Sequence, residues 1–295
     1  MTNNKLIIFG EVLYDCFPDG SQVLGGAPFN VSWHLQAFGQ APYFISRVGQ
    51  DEEGRQIGQA MHDWGMDTGG LQRDPEHVTG KVVIRLQDGE PSYDILSGVA
   101  YDFIDQQDLN PPQGAMLYHG SLALRQPVSR QALSTLRQMG AERVFLDVNL
   151  RPPWFRKEEV LEWASQADWV KLNQDELVEL QDVAGELEAA AEAFRKKYRL
   201  EGLILTRGAQ GAMVFTDHQP PLSVVPQAVT NPVDTVGAGD AFTSVLLMGL
   251  YQNWPLSQSL ERAQTFASAI VGQRGATVRD PGFYRPFLQS WGMLQ

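Results

Sequence analysis

Short apolar runs of strand length recur along the chain, and between them lie segments in which apolar residues return every three or four positions. The runs Lys5–Phe9, Tyr43–Val48, Met116–His119, Val144–Val148, Trp169–Leu172, Leu203–Thr206 and Ala212–Phe215 predict strands, several of them continuous enough to be covered on both faces. The segments Phe29–Phe38, Glu53–Trp64, Ser129–Met139, Lys157–Ser165, Asp175–Val183, Leu187–Tyr198, Ala238–Gln252 and Leu256–Arg274 predict helices. Alternation of this kind predicts an α/β fold, three layers with a mainly parallel sheet between helices. One stretch departs from it. Gly80–Leu86 and Pro91–Leu96 flank Gln87-Asp88-Gly89-Glu90, where Asp-Gly signals a tight hairpin. With the strand-like Glu11–Leu24, this stretch predicts either an ordinary surface hairpin or a small β-sheet lid over one end of the core.

The composition is that of a globular chain: 295 residues, 43% hydrophobic and 20% charged, which excludes disordered and fibrous classes. A formal charge of −12 disfavours non-specific binding to nucleic acid or anionic membrane, but not a small anion held locally. Cys16 is the single cysteine, so an internal disulfide is excluded and no zinc spacing accompanies it, as expected for a cytoplasmic protein. The opening MTNNKLIIFGEVLYD lacks the features of a secretory leader, and no window approaches the 18 or more apolar residues of a membrane span.

The sharpest chemical feature is Asn231–Phe242, NPVDTVGAGDAF, where Gly237-Ala238-Gly239 stands at the start of an apolar helix. Two glycines let backbone N–H groups approach a ligand, and a helix N-terminus favours negative charge, so the segment suits a phosphate. A carboxylate placed there, Asp240, would repel that phosphate unless it served as a base toward an attacking hydroxyl. A tight turn with a carboxylate in the first helical turn is the equally available structural reading. Gly25–Gly39, GGAPFNVSWHLQAFG, repeats the theme of a Gly-Gly turn before a helix, with Asn30 able to donate and accept hydrogen bonds. Asp147-Val148-Asn149-Leu150-Arg151 ends a predicted strand, the edge at which open α/β sheets bind ligands, and Arg151 there is either a fork for an anion or half of a surface salt bridge. Asn173-Gln174-Asp175-Glu176 reads equally as a capped helix start. Trp33 and Phe38 read as helix core, and Trp154 and Phe155 as core or the border of a sugar. No HExxH or GxxxxGK[ST] occurs, which disfavours zinc hydrolases and P-loop kinases.

DTVGAGDAF resembles the C-terminal signature of the PfkB/ribokinase family of carbohydrate kinases, and GGAPFNVSWHLQAFG resembles its N-terminal one. With the intermediate motifs, the resemblance runs from about residue 5 to 277. It implies one ribokinase-like domain over 1–295, with lid segments near 11–24 and 80–97, and transfer of phosphate from ATP to a sugar hydroxyl. The resemblance makes Asp240 the general base, with Gly237, Ala238 and Gly239 completing the anion hole. Asp15, Gly25, Gly26, Asn30, Asn149 and Arg151 would hold the sugar; Asn173, Thr206, Gly208, Gly211, Thr235 and Ala267 would hold the nucleotide. Glu176 would act on Mg2+ through water, and carbonyls near the Asp234 loop would complete a K+ site. GEVLYD, GGAPFN and DVNLRPPWF resemble fructokinases, so fructose is the first expected acceptor, ahead of 2-keto-3-deoxygluconate or a nucleoside. A catalytically silent sugar-binding regulator is the reading from another class. An exposed lid edge would pair two copies into a homodimer.

Overall fold

A computed structural model describes residues 5–87, 90–181, 185–226 and 233–294. Asp88 and Gly89 of the predicted turn, Val183 at a predicted helix end, and Asn231 and Pro232 of the glycine motif lie outside the described residues. The strands are β1 (Lys5–Phe9), β2 (Leu13–Cys16), β3 (Gln22–Gly25), β4 (Tyr43–Gly49), β5 (Leu71–Asp74), β6 (Gly80–Gln87), β7 (Glu90–Ile95), β8 (Gly114–His119), β9 (Arg143–Asp147), β10 (Trp169–Asn173), β11 (Gly202–Thr206), β12 (Ala212–Thr216) and β13 (Leu222–Val224). The helices are α1 (Ala27–Ala37), α2 (Glu52–Asp63), α3 (Pro127–Gln138), α4 (Lys157–Ala164), α5 (Gln174–Leu180), α6 (Leu187–Tyr198), α7 (Ala238–Tyr251), α8 (Leu256–Val271) and α9 (Pro281–Ser290).

Nine strands form one sheet in the order β13-β12-β11-β10-β9-β8-β1-β4-β5, parallel from β5 to β11, with β12 antiparallel to β11 and β13 to β12. Along β1, Leu6 and Ile8 enter the core shared with α1, α7 and α8, while Ile7 and Phe9 enter the core shared with α3 to α6. Both pleat directions are therefore buried, which is why the strands read as unbroken apolar runs.

Three elements beyond the predicted set appear. In β5 only Leu71 is apolar; buried Gln72 and Asp74 are satisfied from elsewhere, Gln72 Nε2 by the carbonyl of Asp105 at 2.8 Å and Asp74 by Arg47 at 2.8 Å. Strand β13 is a three-residue edge piece. Helix α9 contains Pro286, a breaker by local rules, yet Asp280 caps it by accepting from the Gly282 amide at 2.8 Å and Tyr284 is buried in the core.

The segments set apart in the sequence form a second sheet, β3-β2-β6-β7, mixed because β2 and β6 run parallel. Gln87 pairs with Glu90 across the predicted hairpin. Leu13, Val82 and Ile95 of this sheet pack on Val99, Tyr101, Leu122 and Ala123, a third apolar cluster that joins it to the main body. Among the described residues no helix is long and apolar enough to cross a membrane.

Candidate active site

The site is assembled where β1, β8, β9, β10 and β11 end. Helix α7 is buried over most of its length, Ala241 to Gly249, so burial fixes the position of its N-terminus. Its N-cap, Gly237, has φ of +79°, and a Cβ there would lie 2.4 Å from the Cα of Ala276. Only glycine meets both demands. The first-turn amides that follow have no partners within the helix and leave a positive end.

Asp240 stands in that first turn, half-buried, and its Oδ2 accepts from Asn30 Nδ2 at 2.8 Å. Burial pushes its carboxyl up to about 6, against the lowering effect of the Asn30 bond; Asp147 pushes it further up, and Lys171 and Arg151 hold it down. Asn30 is positioned by the Gly-Gly turn: Gly26, at φ +108°, caps α1 so close to the chain that a Cβ would meet the Glu11 carbonyl oxygen at 2.7 Å. Gly25 faces the Asp15 carboxylate, with Oδ2 3.3 Å from where its Cβ would be. Burial pushes Asp15 up to about 6 and Glu11 up to about 7, with Arg151 opposing both shifts. Arg151 is exposed, donates to the Leu150 carbonyl at 3.2 Å, and has no ion pair among the described residues. Asn30 and Asp240 are thus hydrogen-bonded, and Arg151 acts electrostatically on both Asp240 and Asp15.

Asn30 differs in detail. Its amide group is committed to Asp240, leaving Oδ1 as the atom free for a ligand. Asn149 has φ of +40° and contributes its carbonyl to Ser121 Oγ at 3.3 Å.

Beneath Asp240 lies a pair that the sequence reading did not single out. Lys171 Nζ, in the middle of β10, reaches both oxygens of Asp147 at 2.8 Å, and Thr243 Oγ1 donates to Asp147 Oδ2 at 3.0 Å. Burial lowers the Lys171 ammonium, but Asp147 more than offsets it and the net direction is upward. The ammonium lies 3.9 Å from the point where a Cβ on Gly239 would sit, directly under the glycine cradle. The available signal was a lysine flanked by Val170 and Leu172 in a buried strand, since an unpaired lysine is almost never fully buried.

Glu176 completes a capping box with Asn173: its Oε2 accepts the Asn173 amide at 2.8 Å, and the Asn173 side chain accepts the Glu176 amide at 2.9 Å. Its Oε1 accepts the Leu150 amide at 2.8 Å, strapping the 147–151 turn to α5. The carboxylate keeps unused lone pairs, enough for a water-mediated contact. Among the described residues there is no cluster of three His, Cys, Asp or Glu suited to hold a metal directly.

Of the residues expected to hold a nucleotide, Asn173 and Thr206 are register partners on β10 and β11. The turn containing Gly208 and Gly211 is closed by the Arg207 amide on the Gly211 carbonyl at 2.7 Å. Thr235 is exposed and its carbonyl accepts the Ala238 amide at 3.3 Å. Asp234 ties this loop to the end of α8, its amide donating to Val271 at 3.1 Å and its Oδ2 accepting from Gly275 at 3.2 Å. Ala267 is placed otherwise than expected: it is buried in the core with Phe266 and Ile270, because this face of α8 packs on α7.

The pattern described as pfkB family carbohydrate kinase matches residues 4–281. A fructokinase of Salmonella typhimurium is 30% identical over 304 residues, covering 95% of this chain and 97% of that protein. An aminoimidazole riboside kinase from Salmonella enterica, solved with aminoimidazole riboside and an ATP analog, superposes with a TM-score of 0.83 at 27% identity, covering 97% of this chain and 100% of that one. A fructokinase from Vibrio cholerae O395, solved with fructose, ADP and calcium ion, superposes at 0.82 and 27% identity, covering 97% and 99%.

Proposed function

The chain belongs to the pfkB family of carbohydrate kinases, and from that premise we propose that it moves the γ-phosphoryl group of ATP to a hydroxyl of a small sugar, D-fructose first. The observation that carries the reading is Asp240: a desolvated carboxylate, oriented by Asn30, at the positive end of a buried helix beside Lys171.

A carboxylate pushed up to about 6 is a stronger base than ordinary Asp and is still ionised at neutral pH. The hydroxyl oxygen of the sugar forms the new bond to the γ-phosphorus, its proton passes to Asp240, and the bond to the bridging oxygen breaks with its electron pair leaving on ADP. The α7 N-terminus receives the charge spread over the transferring group. Asp15, Asn30 Oδ1 and Arg151 hold the sugar, and Asn173, Thr206 and the 206–211 turn hold the nucleotide. Magnesium would be held on the protein side by Glu176, whose carboxylate keeps lone pairs free, and would supply neutralisation of phosphate charge. A K+ site would be completed by carbonyls of the Asp234 loop, close to the end of α8.

The second sheet serves in this reading as a lid of a single domain, closing over the sugar and excluding water that would otherwise accept the phosphoryl group. Its edge strands, β3 and β7, are the places where two copies would pair. A lone free Cys16 accords with a cytoplasmic location. The test is ADP release from MgATP, with and without potassium, across fructose, ribose, 2-keto-3-deoxygluconate and aminoimidazole riboside, with Asp240→Asn as control. Fructose-dependent turnover lost in the variant supports the proposal; a stronger response to aminoimidazole riboside replaces fructose as acceptor; sugar binding without turnover by any acceptor identifies a regulator.

A further inference from the structure

We propose that Arg125 and Glu11 form a second recognition pair in the acceptor pocket, reading hydroxyls of an uncharged polyol and discriminating against acidic sugars. The inference rests on the sugar-kinase reading above and narrows its substrate class.

Arg125 follows β8, and its side chain is 4% exposed. Nε and Nη2 bind Asp102 at 2.6 and 2.9 Å, and Nη2 also reaches the Leu96 carbonyl at 2.5 Å and the Tyr101 hydroxyl at 3.1 Å. The guanidinium lies over the Trp154 ring at 4.7 Å and the Tyr101 ring at 5.2 Å. Its charge is neutralised and its plane is fixed, yet Nη1 is buried without a hydrogen-bond partner. Glu11, 3% exposed just past β1, has the same property at Oε2, and so does Asn30 at Oδ1. Glu11 lies against the Gly26 turn that leads to Asn30, its carbonyl oxygen 2.7 Å from where a Gly26 Cβ would be, and Arg125 is held by Tyr101, which packs with Leu13 two residues further along the chain.

A buried polar atom without a partner costs free energy that a structure retains where a ligand supplies the missing bond. Glu11 Oε2 and Asn30 Oδ1 accept; Arg125 Nη1 donates. A hydroxyl does both, so neighbouring hydroxyls of one sugar satisfy all three atoms. A sugar carboxylate would meet Arg125, whose charge Asp102 already balances, and would face Asp15 and Asp240 and the ionised fraction of Glu11, opposed by Arg151, which has no ion pair among the described residues. Like charges brought together in a desolvated pocket are strongly disfavoured.

The experiment is steady-state kinetics of the full chain with Mg-ATP on D-fructose, D-ribose, aminoimidazole riboside, 2-keto-3-deoxygluconate and single-deoxy fructoses, for the wild type, Glu11→Gln and Arg125→Lys. The lysine keeps a cation for Asp102, and the isosteric glutamine carries the test if the lysine variant melts early. The expected result is a KM for the neutral sugar raised about tenfold to a hundredfold, with kcat and the KM for ATP within about twofold. One deoxy sugar should be penalised in the wild type and no longer penalised in the variants. A KM within about twofold of wild type in a folded Glu11→Gln overturns the pair, as does a wild type that prefers 2-keto-3-deoxygluconate. If another neutral acceptor replaces fructose, only the fructose assignment fails and the same variants test the pair on that acceptor. If no acceptor turns over, the kinase reading fails, and fructose calorimetry decides the pair: equal affinity in wild type and Glu11→Gln overturns it.

Discussion

The Asn30 side chain donates to the Asp240 carboxylate at 2.8 Å across 210 positions of sequence, joining the two glycine-led helix starts into one site. The bond has a direction. It favours the ionised carboxylate and holds down a carboxyl that burial pushes up. Asn30→Ala should therefore raise the pH at which kcat/KM falls on the acid side, from about 6 toward neutrality, and lower the plateau about tenfold or more. A pH–rate profile of the two proteins checks both; an unmoved acid limb would separate Asn30 from the titration of the base.

Asp240→Asn should lower kcat by roughly 10² to 10⁴, the usual worth of a general base. It should also raise stability. A carboxyl pushed up in the folded protein stabilises it below its unfolded value of 3.8, and that contribution is lost as pH rises through about 6. The variant should melt above the wild type at pH 7.5, with the gap closing toward pH 4. Equal melting temperatures across that range would contradict the upward shift.

Stability of the whole protein should fall between about pH 4 and 7 for the same reason at Asp15 and Glu11, whose carboxyls are pushed up to about 6 and about 7. A saturating neutral sugar should recover part of the loss, because it supplies hydrogen bonds to the ionised forms. Thermal melts with and without D-fructose at pH 5 and 7.5 measure this.

Lys171→Met leaves the buried Asp147 carboxyl group without its cation, at a cost of about 3–5 kcal/mol. The double variant Lys171→Met, Asp147→Leu should recover much of that loss, since a buried pair contributes little relative to an apolar replacement. Denaturant unfolding of the single and double variants gives the comparison. Activity should fall in both, because the ammonium beneath Gly239 is gone.

Gly237→Ala should damage the phosphate cradle before the fold. Its Cβ would overlap the Ala276 backbone at 2.4 Å, and φ of +79° is unfavourable for alanine. A kcat reduced at least tenfold, with a stability loss of about 1–3 kcal/mol, is expected. Near-normal turnover would show that the α7 N-terminus does not receive the transferring group.

The repeating apolar runs were enough to predict the main sheet, because strand and helix periods follow from local backbone geometry and two-sided burial. Lys5–Phe9 matches β1, and the Ala238 start matches α7 to the residue. The segments at 11–24 and 80–97 announced the second sheet by breaking the alternation. Gly26 of GGAPFN and Gly237 of DTVGAGDAF were legible for the same local reason, since positive φ and close backbone approach admit little else. Elements whose stability comes from afar were not legible: β5 needs Arg47 and Asp105 to satisfy its polar residues, and α9 holds Pro286 because Tyr284 is buried. The same limit applies to function. Motifs named Asp240 and Asp15, but that Lys171 neutralises Asp147, that Asn30 is committed to Asp240, and that Arg125 is fixed while Nη1 stays unpaired are facts of packing. Charge, burial and hydrogen-bond satisfaction depend on which distant residues share a space, and tertiary structure alone decides that.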